Sequence, residues 1–213
     1  MADFRTALAA VALGAATLGA AGACDGGAAG SADARASAAS GGTATAPAGG
    51  LDPNAPEVSE QGDIPDNQAY VGYTPASGEY TVRVPEGWSR VDQPNTVTFT
   101  DKLNTVRVDL AARAVAPTEA DVHTEIATLG AGKPGFSAGT VTTVRRKAGS
   151  AVLASYRIDA PPNSVTGKVI NDDVERYEFW HNGQLVTLTL SGPHGADNVD
   201  PWRLITDSVT WNR

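Results

Sequence analysis

The chain has 213 residues and a formal net charge of −8, and from Asp63 onward it carries 18 acidic against 14 basic side chains. That balance lacks the basic face a nucleic-acid partner needs and offers nothing for an anionic membrane surface to attract. The single cysteine, Cys24, excludes an internal disulfide and a thiolate metal cluster, so a secreted domain of this chain is held by its core alone.

The N-terminus reads as a signal peptide over residues 1–23. Arg5 and the terminal amine make a positive start, Thr6 to Ala23 carries no charge, and Ala21-Gly22-Ala23 is a small-residue cleavage pattern. A membrane-spanning helix is the competing reading, because eighteen uncharged residues are just long enough. Only Leu8, Val11, Leu13 and Leu18 contribute strongly to insertion, at roughly −0.3 to −0.6 kcal/mol each, so the cleaved signal is favoured. A small-residue triplet before Cys, after an apolar stretch and ahead of a Ser/Gly/Ala run, resembles the lipobox of bacterial lipoproteins. That resemblance implies that Cys24 receives a diacylglyceryl group, becomes the first mature residue, and holds the protein on the extracytoplasmic face of the cell membrane. Two chains are what make such an anchor stable. Ala21 stands where that family prefers leucine, and plain secretion with a free thiol at Cys24 is the alternative.

Residues 24–62 read as a tether. "DGGAAGSADARASAASGGTATAPAGGLDPNAPEVSEQG" has no apolar periodicity and almost no large side chains, so it cannot offset its own ordering entropy. As a coil, the 38 residues from Asp25 would span about 35 Å. Its role is that of a spacer between anchor and domain.

Residues 63–213 form one globular domain. "YTVRVP" alternates Tyr80, Val82 and Val84 with polar residues, which predicts a half-buried strand that Pro85 ends. Thr96–Thr100 and Thr105–Ala111 alternate likewise, and the four residues "DKLN" between them suit a hairpin loop. Thr118 with Asp121 three residues on predicts a capped helix, with Val122, Ile126 and Leu129 on its buried face and Gly130 at its end. Strands resume at Thr140–Arg146 and Ala151–Ala160 around the turn "KAGS". After a long connection over 161–173 comes "VERYEFWH-NG-QLVTLTLS". Asn182-Gly183 is the favoured two-residue hairpin turn, because both residues tolerate positive φ. Asp200 as N-cap and Pro201 at the first helical position predict a closing helix, and "SVTW" a terminal strand. Short turns between neighbours give a mainly antiparallel β-sheet with a few flanking helices, the α+β class. "YTVRVPEGW" near the start and "SGPHGADNVDPWRLITDSVTW" at the end resemble the Mog1/PsbP-like domains. That resemblance implies an antiparallel sheet flanked by helices and a binding or assembly role without catalysis.

No site motif stands out. His123, His181 and His194 fall in no zinc-binding spacing, and each is more readily a surface histidine; His194, in the Gly-rich "SGPHG", is the best placed for function. There is no G-x-S-x-G elbow, P-loop or dinucleotide fingerprint. Asn171, Asp172 and Asp173 open "NDDVE", which lacks the spacing of a calcium loop and reads as a solvated acidic turn, at most a polar contact surface. Arg145 to Lys147 reads as edge protection. Trp180 shares a strand face with Glu178, opposite Tyr177 and Phe179. It is either an exposed partner anchor beside the 161–173 loop or packed beneath a helix or loop. The expected function is thus a lipid-anchored, monomeric binding or assembly module with an unknown protein or small-molecule partner and no metal or other cofactor. Two alternatives remain. One is a carrier of a small apolar ligand, which needs an apolar cavity of roughly 300 Å³ between sheet and helix. The other is a small hydrolase using His194 or His181, which needs a carboxylate or hydroxyl near that base and a pocket around it.

Overall fold

The computed structural model describes residues 62–163 and 165–212; Cys24 and the residues expected to form a signal peptide and tether, Gly62 excepted, lie outside them. The described chain is an antiparallel α+β domain. Its strands are β1 (Tyr70–Tyr73), β2 (Tyr80–Pro85), β3 (Ser89–Gln93), β4 (Thr96–Asp101) and β5 (Asn104–Ala112), followed by helix α1 (Glu119–Gly130). Then come β6 (Ser137–Arg146), β7 (Gly149–Asp159), β8 (Asn171–His181), β9 (Gln184–Pro193), helix α2 (Val199–Asp207) and β10 (Thr210–Trp211). Seven strands form one sheet in the order β3-β4-β5-β9-β8-β7-β6, and β1-β2-β10 form a second.

Alternation along each strand sorts side chains to the two faces of the large sheet. One face packs under the small sheet and α2. Val97, Phe99, Val106, Val108, Tyr177, Phe179, Leu188 and Leu190 meet Tyr80, Val82, Val84, Trp202 and Ile205 there, all buried. On the other face α1 lays Val122 and Ile126 on Val152, Ala154, Tyr156 and Val174. Beside that patch the face turns charged. Glu178 is fully buried, its Oε1 accepts from Arg176 at 2.9 and 3.1 Å, and its Oε2 lies 3.6 Å from Arg113 Nη1. Glu125 of α1 accepts from Arg113 at 2.9 Å and lies 3.7 Å from Arg176, which ties the helix to the sheet.

The expected strands and helices form, with corrections. β1, β3 and the second sheet were not expected. β3 is exposed along its whole length, and Val91 is its one apolar side chain, so it lacks an alternating signal. The turns before β5 and β7 hold two residues each, not four. Asp101 pairs with Asn104, and Arg146 with Gly149. Asn104 is buried as a strand residue because its amide donates to Gly62 O at 2.8 Å and its carbonyl accepts from Asn198. The Thr118–Asp121 capping box forms in both directions. Leu129, expected in the helix interface, is exposed. Gly130 takes that place, since the Phe136 ring fills the space where a Cβ would stand. α2 begins earlier than expected: the Trp202 N–H reaches Asn198 O at 3.0 Å, which makes Asn198 and not Asp200 the cap. Pro201 then sits third in the helix, still within the first turn, where its missing N–H had no partner to lose. "NDDVE" is no solvated turn but the opening of β8.

Candidate functional site

The strand faces that build the core change character at one end. Down β7, Ala151 and Leu153 are followed on the same face by Ser155 and Arg157. Across from them on β8, Phe179 and Tyr177 are followed by Glu175 and Asp173. The two apolar rows become polar together, at register-paired positions, on a face otherwise given to core. Above this end lies the first turn of α2. Between helix and sheet is a cleft of about 350 Å³ whose floor carries Ser155, Arg157, Asp173 and Glu175 and whose opposite wall carries Val199 and Trp202.

Two local features position the walls. The β6–β7 register slips between Ala138 and Val141, and Ser155 Oγ fills the bulge, accepting from Thr140 N at 3.0 Å. Gly139 passes so close to the Ser155 carbonyl that a Cβ would overlap it. On the other wall, Asn198 makes no side-chain cap for α2. Its Oδ1 accepts from Ile64 N at 2.8 Å, and its Nδ2 donates to Gly62 O and Asn104 Oδ1 at 3.1 and 3.0 Å. The start of α2 is thereby tied to the first described residues and to β5.

At the mouth stands a trio. Asp173 lies 2.8 and 3.0 Å from His194 Nδ1, and Arg157 Nη1 lies 3.3 Å from His194 Nε2. A guanidinium only donates, so Nε2 accepts and Nδ1 carries the proton given to Asp173. The imidazole thus links an arginine and an aspartate that face each other across β7 and β8. Glu175, two residues inward, accepts from Tyr177 OH at 2.7 Å, and Arg146 Nη2 donates to that hydroxyl at 2.9 Å. Burial and the Glu175 carboxylate push the Tyr177 phenol up to about 12.

Of the residues singled out in the sequence, Asp173 and His194 meet here. Asn171 lies beside them as a tie, donating to Asp159 Oδ1 at 2.9 Å and Gly135 O at 3.1 Å. Asp172 points to the other face of the sheet. It is 8% exposed, accepts no hydrogen bond among the described residues, and is pushed up to about 6 by burial and by the charge of Asp173. Trp180 is nine residues further along β8, about 30 Å from the loop it was expected to adjoin. It is half-buried, and its indole donates to Arg113 O at 2.8 Å. His123 is exposed on α1, and His181 is exposed and stacks on Trp211 at 5.3 Å. Sequence reading missed Arg157, Glu175, Ser155 and Trp202. Their signal was polar residues at core-face positions two apart, which a search for motifs passes over.

The cavity between α1 and the sheet measures about 200 Å³, short of what an apolar cargo needs, and the 350 Å³ cleft under α2 has the volume but a floor of Ser155, Arg157, Asp173 and Glu175. His194 has the carboxylate and neighbouring cleft that a general base needs. Among the described residues, however, its Nε2 meets Arg157 and not a hydroxyl. No helix among the described residues is long and apolar enough to cross a membrane.

No protein-family model matches the chain, and no curated protein does. Three solved structures are similar to it. PsbP of the cyanobacterium Synechocystis is 17% identical over 68% of this chain and 94% of its own, with a TM-score of 0.49. The Ran-binding protein Mog1p of Saccharomyces cerevisiae is 12% identical over 67% and 95%, with a TM-score of 0.46. LpqN of Mycobacterium tuberculosis, involved there in cell envelope biogenesis, is 13% identical over 70% and 93%, with a TM-score of 0.42. The first two bear the names of the domain class that the sequence resembles.

Proposed function

We propose that this protein is a binding module of the bacterial cell envelope, anchored through lipid on Cys24, and that the cleft under α2 is its recognition site. The observation that carries the second part is the paired change of β7 and β8 from apolar to polar on one face, directly beneath the cleft. Polar side chains at core-facing positions weaken a core, and a binding site is the usual return for that. The anchor rests on the sequence: a signal-peptide pattern ending at Cys24, followed by a spacer.

Each part has its own test. Mass spectrometry of the protein from the membrane fraction should find the diacylglyceryl modification on an N-terminal Cys24; an unmodified Cys24 on protein in the culture medium overturns the anchor. A fragment screen by ¹H–¹⁵N NMR on the full chain should shift the amides of Ser155, Glu175 and Val199 first. Silence at those amides across the library overturns the cleft.

A further inference from the structure

We propose that the protein has a second site, a hollow beside the start of β9 where Glu79 takes a primary ammonium group, carried by a small amine or by a lysine side chain. It is independent of the cleft under α2, which adjoins the other end of that strand.

Glu79 stands between the turn at Pro75–Gly78 and β2. Its Oε2 is closed to solvent and accepts no hydrogen bond, a condition that only Glu178 Oε2 shares among the described residues. Glu178 is compensated by Arg176 at 2.9 Å and Arg113 at 3.6 Å. Glu79 is not. No donor among the described residues touches either of its carboxylate oxygens, and no cationic side chain lies within 4.0 Å. With no donor in contact, no hydroxyl or imidazole relays a more distant cation to it. Its Oε1 is equally without a partner but is open to solvent, so it is the oxygen a ligand can reach. Buried polar atoms of a native fold are nearly always paired, and one left over calls for a partner from outside.

The hollow measures about 440 Å³ and is bounded by the Pro75–Gly78 turn, the β3–β4 turn and the end of β5. Tyr80 lines it as well. Tyr80 is 2% exposed, yet its hydroxyl makes no hydrogen bond among the described residues. Burial raises its phenol, and Tyr73, Asp109 and Glu79 raise it further, so the hydroxyl keeps its proton and lies within the field of Glu79. The other charges of the hollow cancel, because Arg90 donates twice to Asp92 Oδ1, at 2.7 and 3.1 Å. An adjoining hollow that shares Ser77, Glu79 and Gln184 adds His181, whose Nε2 accepts from Asn182 Nδ2 at 3.0 Å and is therefore unprotonated. One negative charge, that of Glu79, is left over.

The single open oxygen selects the cation. A guanidinium binds a carboxylate best through two parallel hydrogen bonds, one to each oxygen, and Oε2 is closed. A calcium ion takes about six or more oxygen ligands, and no cluster of three carboxylate, histidine or cysteine side chains stands among the described residues. An ammonium is a compact charge with three donors, and one open oxygen serves it. The Tyr80 hydroxyl and the Gln184 carboxamide, which makes no hydrogen bond among the described residues, are acceptors for the other two. Pro75, Pro94 and Leu110 give the alkyl stem apolar contacts.

The test uses the ¹⁵N-labelled full chain with n-butylammonium, n-propylguanidinium, n-butanol and butyrate at matched ionic strength, and acetyl-Gly-Lys-Gly-amide as the peptide probe. Butylammonium should shift the amides of Ser77, Glu79 and Tyr80 and leave those of Ser155, Glu175 and Val199 in place. It should bind about fivefold or more tightly than propylguanidinium, and butanol and butyrate should not bind. Glu79→Gln keeps the shape, removes the charge and should weaken butylammonium about tenfold. Tyr80→Phe removes a hydroxyl that has no partner in the fold, so the urea midpoint should hold or rise while butylammonium weakens about threefold. A lysine peptide about tenfold tighter than butylammonium identifies a polypeptide as the source, and a lesser difference a small amine. Silence at Ser77, Glu79 and Tyr80, equal binding of propylguanidinium, or unchanged butylammonium binding in either variant overturns the inference, and the cleft under α2 is judged by its own amides.

Discussion

Replacing Asp172 with asparagine should stabilise the protein at neutral pH and do nothing in acid. Asp172 stands on the α1 side of β8, 8% exposed, with no hydrogen-bond donor among the described residues and the charge of Asp173 next to it. Burial, and then Asp173, push its carboxyl from 3.8 up to about 6. The sign follows from proton binding. Between about pH 4 and 6 the folded protein holds a proton that the unfolded chain has lost, so stability falls as pH rises through that window. Above pH 6 the charged group destabilises by its full amount, and below pH 4 by nothing. A shift of about two units corresponds to roughly 3 kcal/mol without screening. The residue lies at the sheet end, where water screens part of its field, so about 1–2 kcal/mol remains. Asparagine has the same shape and no charge to bury. Urea unfolding at pH 4, 5, 6 and 7 should show wild type and Asp172→Asn converging at pH 4 and separating by that amount at pH 7. Thermally, the gain at neutral pH is about 2–8 °C. A difference that does not change with pH, or an asparagine variant less stable at pH 7, would refute the reasoning.

Two further perturbations probe the same face further along β8 and the sheet edge. Arg176→Met should destabilise by about 3–5 kcal/mol in urea unfolding, because it leaves the Glu178 carboxylate buried without its closest cation; adding Glu178→Met should restore most of the loss. Glu119 accepts from the Thr143 N–H at 2.6 Å and its hydroxyl at 2.7 Å, covering one outward backbone donor of the edge strand β6. Glu119→Ala should therefore raise self-association in sedimentation velocity, and Glu119→Gln, which can still accept, should raise it less.

Much of the fold was legible because its strands alternate cleanly and its signals were local. Asn182-Gly183 gave the β8–β9 turn, and both residues take the positive φ that such a turn needs. Thr118 and Asp121 gave the start of α1. What stayed hidden depended on residues far apart in sequence. β1 and β10 are two to four residues long and exist because β2 lies between them. β5 reaches back to Asn104 because the segment at Gly62 and the start of α2 take up that amide. α2 is capped at Asn198 and not Asp200 for the same reason, since Asn198 is held by Ile64, Gly62 and Asn104. The pattern "NDDVE" misled because three polar residues in a row look like a turn. In the sheet, Asp172 and Asp173 point to opposite faces, and only the neighbours decide that one is buried and the other meets His194.

That division explains where the site sits. An apolar face can be interrupted with least damage at its end, where fewer neighbours lose contacts. β7 and β8 turn polar together at that end, so Ser155, Arg157, Asp173 and Glu175 satisfy one another or face the cleft and do not disrupt the Tyr177–Phe179 core. The helix above is fixed by tertiary bonds. Asn198 makes no side-chain cap bond to its own helix, a contribution of about 1 kcal/mol forgone. It makes three bonds that hold the first turn of α2 over the strand ends. A helix start held from outside keeps the first turn of α2 in place over the cleft even if α2 frays. Asn198→Ala should thus lower stability and also loosen the cleft, weakening any fragment that shifts the Ser155, Glu175 and Val199 amides, though Asn198 supplies no charge to it. Asn198→Asp keeps the acceptor for Ile64 but loses both donors, and should fall between the two. If Asn198→Ala lowers the urea midpoint while the affinity of such a cleft-binding fragment stays at the wild-type value, the cleft is not set by this tie and the bulge at Ser155 holds it alone.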